Sequence, residues 1–191
     1  MQTLPTYRKH IVASVCGLLM ALFVADGGRA QERGADMEAL FAELADPANP
    51  NWERAQNQIM REWSRSGSPA FDLLLSRGER AIEEGDLEAA IEHLTALTDQ
   101  APDFAEGWNA RATAYFLAGR YGPSIADIQR VLALEPRHFG ALDGLAMILQ
   151  EIGRKEEALK ALRASLAIHP HQESIEQAAE ALERELSGVE L

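Results

Sequence analysis

A chain of 191 residues with 47% hydrophobic content has room for one ordinary domain and enough apolar side chains to build its core. Its 30 acidic residues against 18 basic ones give a formal charge of −12 and a pI near 4.8, which argues against recognition of nucleic acid or of an anionic membrane surface, since both need a basic face. Aromatic content is only 6%, and the richness in Ala, Leu and Glu favours helix over strand, so an all-α protein is expected.

The first thirty residues read as an export leader. Arg8, Lys9 and His10 precede an apolar run from Ile11 to Val24, and small and polar residues follow up to Gly28-Arg29-Ala30. That order is the order of a secretory signal peptide, with a mature chain beginning at Gln31. The run is shorter than the roughly 18 residues of a spanning helix, so no stable membrane insertion is expected after cleavage; an uncleaved anchor is the alternative. Cys16, the one cysteine, falls inside the leader and leaves the mature chain without thiol chemistry. The mature chain then carries 15 basic and 29 acidic side chains, a charge of −14, and is expected to be periplasmic or secreted.

Residues 31–70 hold two helical patterns, 36–45 and 51–65, separated by the breaker Asp46-Pro47-Ala48-Asn49-Pro50. They predict a degenerate hairpin whose Trp52, Ile59, Met60 and Trp63 bury against the first full repeat.

From residue 71 a period of 34 governs the chain. Pro102, Pro136 and Pro170 share it, and so do Gly85, Gly119 and Gly153. Three copies result, 71–104, 105–138 and 139–172. In each, an apolar-periodic helix runs to the glycine, a second helix follows, and the proline stops it. Gly78, Ala112 and Ala146 share one register in the first helix, as do Ala90, Ser124 and Ala158 in the second; small residues there let the two helices approach closely. Leu94, Ile128 and Leu162 fill equivalent gaps. Residues 173–191 predict a capping helix with Ile175, Ala179 and Leu182 on its apolar face.

The middle copy, with Trp108, Ala112, Tyr115, Gly119, Tyr121, Ile125, Ile128 and Pro136, resembles the tetratricopeptide repeat family. Copies one and three depart from it: Leu74 and Leu142 stand for the tryptophan, Ala81 and Leu149 for the tyrosine. The resemblance implies a right-handed superhelical solenoid of antiparallel helix pairs, in which Trp108 and Tyr115 are packing residues. It also implies that the first helix of each pair lines a concave surface. From copy one the lining residues would be Asp72, Leu75, Glu79, Ile82 and Glu83; from copy two, Glu106, Asn109, Thr113, Phe116 and Leu117; from copy three, Gly140, Asp143, Met147, Gln150 and Glu151. Six of these fifteen are acidic and none is basic. Such a trough favours a basic amphipathic peptide or helix. It opposes the acidic tails that chaperone-binding members of the family grip with lysines, arginine and asparagines, a clamp that only Asn109 matches.

Catalytic motifs are missing: no G-x-S-x-G elbow, no G-x-x-x-x-G-K-[ST], no G-x-G-x-x-G and no H-E-x-x-H. His169 and His171 share one turn and His138 sits near the equivalent turn of the preceding repeat; neighbouring helices pack about 8 to 10 Å apart, too far for a shared ion, and the histidines are expected to be solvated. No enzyme activity, metal or cofactor is expected. The function read from the sequence is that of an exported adaptor or scaffold for another protein. A periplasmic chaperone-like holder of unfolded clients is the alternative, and no feature fixes the oligomeric state.

Overall fold

The computed structural model describes residues 36–188; the expected leader and its junction at Gln31 lie outside them. The chain divides into two compact units, Met1–Leu40 and Phe41–Leu191. Of the first, only 36–40 are described, the opening of helix α1, 36–45. The second continues with α2 (Trp52–Trp63), then three antiparallel pairs: α3 (Pro69–Glu83) with α4 (Leu87–Gln100), α5 (Ala105–Leu117) with α6 (Tyr121–Leu134), and α7 (Phe139–Glu151) with α8 (Lys155–Ile168). Helix α9 (Glu173–Leu186) closes the stack, and among the described residues there is no strand.

Each pair turns at a glycine in the left-handed region, Gly85 at φ 77°, Gly119 at 69° and Gly153 at 78°. The amide after the glycine reaches back five residues: Asp86 to the Ala81 carbonyl at 2.9 Å, Arg120 to Tyr115 at 2.8 Å, Arg154 to Leu149 at 2.7 Å. This satisfies carbonyls that the helix end would otherwise orphan. Pro102, Pro136 and Pro170 each follow the closing residue of a second helix, Ala101, Glu135 and His169. Pro123 falls in the first turn of α6, where no intrahelical amide bond is lost.

Small residues close the seams. A β-carbon on Gly78 would lie 2.4 Å from Cγ of the fully buried Leu94. Ser124 stands where copies one and three have Ala90 and Ala158, and its buried hydroxyl donates to the Ala112 carbonyl at 2.7 Å. Gly78→Ala gains about 1 kcal/mol of helix propensity, yet it should lower stability by about 1 kcal/mol net, because Leu94 must leave its packed position. Denaturant unfolding measures this, and an unchanged or raised midpoint would show slack in the α3–α4 seam.

Helix α9 buries Ala179 and Leu182 against Ala146, Leu149 and Leu162, with Ile175 packed beside them and its acidic side chains outward. Lys155 pairs with Glu185 and Arg163 with Glu183 across α8 and α9. Both pairs are solvent-exposed and contribute little.

The N-terminal hairpin departs from expectation. Its tryptophans stack on the turns before α7 and α9 instead of on the first pair. Trp63 lies flat on His138, ring centroids 4.1 Å apart, and against Phe139 at 5.2 Å; Trp52 lies flat on His171 at 5.0 Å and tilted on His169 at 5.3 Å. Aromatic faces find aromatic partners at these turns, whereas α3 turns charged residues such as Arg77, Arg80 and Glu83 to solvent. Ile59 is fully buried, but Met60 remains 46% exposed rather than buried.

Candidate functional site

A cavity of about 290 Å³ opens between α5 and α7 over the floor of α6. Phe116, Leu117 and Thr113 form the α5 wall with Asn109 at one end; Met147, Ile148 and Asp143 form the α7 wall; Ser124, Ile128 and Ala112 lie beneath. Gly140 and Gly144, four residues apart on one face of α7, leave part of that wall without side chains. A β-carbon at Gly144 would have only Ile128 near it, at 3.8 Å. Leu117 and Met147 are half exposed at the rim. The walls are apolar apart from Asn109, Thr113, Ser124 and Asp143, and none of the thirteen lining residues is cationic.

Asn109, Thr113, Phe116, Leu117, Gly140, Asp143 and Met147 of the expected surface therefore share one cavity. The other expected positions lie elsewhere. Leu75, expected at the concave surface, is a core residue: it is 3% exposed and packs in a cluster with Ala110 and Ala114. Ile82 packs half-buried against the same cluster. Asp72 accepts from the Ser66 amide at 2.9 Å and the Ser66 hydroxyl at 2.5 Å, which hold its carboxyl below the ordinary range. Glu79, Glu83 and Glu151 are exposed and Gln150 half-buried. Glu79, although it reaches solvent, is pushed up by partial desolvation and by repulsion from Glu106 and Glu83, so these acids share one field.

Glu106 is an internal partner more than a free groove acid. Its carboxylate accepts from Asn109 at 3.0 Å and contacts His138 Nε2 at 3.1 Å. Burial raises its pKa, but the hydrogen bonds and the nearby His138 ring outweigh that and hold the carboxyl low. Asp143 goes the other way: burial raises it, against partial opposition from the Ser165 hydroxyl and His138, and its Oδ1 has no hydrogen-bond partner within the chain.

The buried network that sequence reasoning missed is Arg111 with Asp127. The guanidinium meets Asp127 through two bonds of 2.7 and 2.9 Å, donates to Thr98 at 2.8 Å and Thr95 at 3.2 Å, and lies 4.8 Å above the Trp108 ring. Trp108 is itself spent on packing, with Nε1 donating to the Pro102 carbonyl at 3.0 Å. An arginine between two alanines, in the segment Ala110-Arg111-Ala112 of α5, was the one available signal.

The histidines also correct the sequence reading. His138 and His169 are 3% and 2% exposed rather than solvated. His138 caps α7, its Nδ1 accepting the Ala141 amide at 3.1 Å, so its proton sits on Nε2, facing Glu106. His169 Nε2 bonds the Gln56 side-chain oxygen at 2.8 Å, and His171 Nε2 the Asp46 carbonyl at 3.0 Å. Each ring is covered by a tryptophan of the hairpin, which is why the turn position misled. No group of three His, Cys, Asp or Glu side chains among the described residues could hold a metal, and no helix among them is long and apolar enough to cross a membrane.

Helix pairs, turns and repeat period together define a helical-repeat protein. The tetratricopeptide repeat model matches residues 75–126 and 119–173. A TPR repeat-containing protein of Rhizobium etli is 39% identical over 153 residues, which cover 80% of this chain and 75% of that one. The chain belongs to the tetratricopeptide repeat family. Human PEX5-related protein is 28% identical over 145 residues, 70% of this chain but only 23% of that protein's length. The first TPR of Spaghetti (RPAP3), solved with the HSP90 peptide SRMEEVD, superposes with a TM-score of 0.58 at 21% identity, over 60% of this chain and 91% of that one.

Proposed function

We propose that the protein is an exported, non-catalytic adaptor that holds a basic amphipathic peptide or helix along the groove between α5 and α7. One observation carries this reading: an apolar cavity of about 290 Å³ whose lining holds a partly desolvated carboxylate, Asp143, and no cation. A lysine or arginine stem can lie on Phe116 and Met147 while its charge meets Asp143, which gains a partner for a carboxylate that burial disfavours. Exposed Glu79 and Glu83 on α3 and Glu151 on α7 extend the negative field. The peptide solved on the RPAP3 domain is acidic toward its end. Peptide binding carries over to the present reading, whereas that charge pattern does not.

Export rests on the pattern from Arg8 to Ala30. Intact mass of the protein recovered from periplasm should give an amino terminus at or near Gln31; a full-length membrane-bound species would contradict it. Capture of partners from periplasmic extract with the mature protein tests the adaptor. One or two stoichiometric partners are expected, and a broad set of unfolded chains would favour a holder instead. With the captured partner, Phe116→Ala should raise the dissociation rate about tenfold or more, as loss of a central aromatic anchor does. Neutralising Glu79, Glu83 and Glu151 should instead slow association and flatten its salt dependence.

A further inference from the structure

Residues 41–63 are joined to the repeats through an unusual set of contacts. Both tryptophans of α2 rest on histidines of the repeat turns, and Phe41 lies under Arg137, 3.9 Å from the guanidinium to the ring centroid. Three buried polar atoms at this junction have no hydrogen-bond partner within the chain: Trp63 Nε1, His169 Nδ1 and Asp143 Oδ1. All three belong to residues gathered about Phe139, whose ring is 5.2 Å from Trp63 and 5.1 Å from His169, with Asp143 one turn further along α7. A junction that leaves both donors and acceptors unsatisfied is less firmly closed than the seams between the repeat pairs.

We propose that the segment 41–63 is an acid-releasable arm: protonation of His169 detaches its Trp52 end from the turn before α9 and uncovers His169 and His171 there.

The two ends of the arm face different charges. At the Trp63 end, His138 Nε2 faces Glu106 at 3.1 Å with Asp143 nearby, and its Nδ1 is occupied in capping α7. Arg137 lies over Phe41 at the same end. At the Trp52 end, His169 faces Gln56, Trp52 and Phe139, all uncharged, and its titratable neighbour is His171, 6.0 Å away. On the arm, Arg54 and Glu43 pair with each other, and Asp46 offers His171 its backbone carbonyl, its side chain being bonded to the Ala48 amide. A proton on His169 is therefore buried with no carboxylate in contact and a second imidazole close by. Burial, then His171, lowers its pKa from 6.5 to about 4.

The sign follows. A histidine depressed in the docked state takes up its proton more readily once released, so docking is strongest above pH 6.5 and weakens as pH falls toward about 4. From His169 alone, the docking equilibrium should fall about fivefold between pH 6.5 and 5.5 and approach tenfold per unit below that. Gly140 and Asp143, which line the cavity, follow Phe139 on α7, and Phe139 packs on both Trp63 and His169, so release loosens the packing behind that end of the groove. The coupling to binding rests on the groove reading; the release itself does not.

Hydrogen exchange on the intact protein at pH 7.5, 6.5 and 5.5, corrected for the intrinsic pH dependence of exchange, tests the arm. Protection across 52–63 should fall about fivefold between pH 6.5 and 5.5 while α5 and α6 hold theirs. His169→Phe, which keeps a ring and removes the proton site, should make arm protection independent of pH, and Trp52→Ala should lower it at every pH. Undiminished protection of 52–63 at pH 5.5 would overturn the proposal, as would equal acid loss in His169→Phe. Should that variant fail to dock at pH 7.5, the wild-type profile decides by itself. Loss of arm protection without any change in partner affinity would retain the arm and refute only its link to the groove.

Discussion

Asp127→Ala should cost about 3 kcal/mol of unfolding free energy, a large effect for a residue far from any chain end and outside every apolar cluster. Asp127 is buried, and Arg111 nearly so, with 7% and 12% of their side chains exposed. Removing the carboxylate leaves a guanidinium in a site where Thr98 and Thr95 offer only two neutral oxygens. Desolvation opposes the charge on Arg111, and the Asp127 hydrogen bonds outweigh it, holding the group even more firmly protonated than usual. It cannot escape by losing its proton. Asp127→Asn keeps the shape and one acceptor, so it should lose roughly half as much, while replacing both partners by apolar residues should recover most of the stability. Denaturant unfolding of the three variants is the measurement. Equal losses in the single and double replacements would show that the pair is not the cause.

Ala146→Leu should destabilise by about 2 to 3 kcal/mol, and Ala112→Leu by markedly less, although the two alanines occupy the same register. Ala146 has no exposed surface and sits against Ala158 and Leu162 in a filled seam, so three extra carbons have no room. Ala112 is equally enclosed by area, at 2%, yet it borders the cavity, and a leucine there can turn into that space. Its cost should be about 1 kcal/mol, with loss of partner binding as the larger consequence. Equal stability losses would mean that the cavity wall at Ala112 is rigid.

The repeat was legible because it is written twice, once in the prolines and glycines that end helices and once in the small residues that let them touch. Gly78, Ala112 and Ala146 needed no structure to be placed. The cavity was half legible. Register put Phe116, Met147 and Asp143 on one surface, but the space between them exists because Gly140 and Gly144 carry no side chain, and Gly144 lay outside the positions the family resemblance supplied. Leu75 occupies one of those positions and is a core residue, since a leucine there is drawn into the α3–α5 contact rather than left at the surface. Arg111 with Asp127, and the histidines with the tryptophans, were not legible. Each joins residues that no helical or repeat period relates: Arg111 and Asp127 are 16 apart, and His169 and Gln56 are 113 apart. Solvation was the ordinary expectation for a histidine beside a proline turn, and only the aromatic arm from far upstream reverses it.

The groove is tested most directly by filling it. In Gly144→Leu the new side chain enters a space where a β-carbon meets nothing closer than 3.8 Å, and the helix gains propensity in the exchange. The measurement is affinity for the captured partner, or for a synthetic lysine-leucine amphipathic helix, alongside the unfolding midpoint of the same sample. Binding reduced at least tenfold with the midpoint unchanged or raised is the predicted result. Normal binding by Gly144→Leu, with binding abolished instead by changes at Arg130 or Lys160 on the second helices, would place the partner on the opposite face and contradict it.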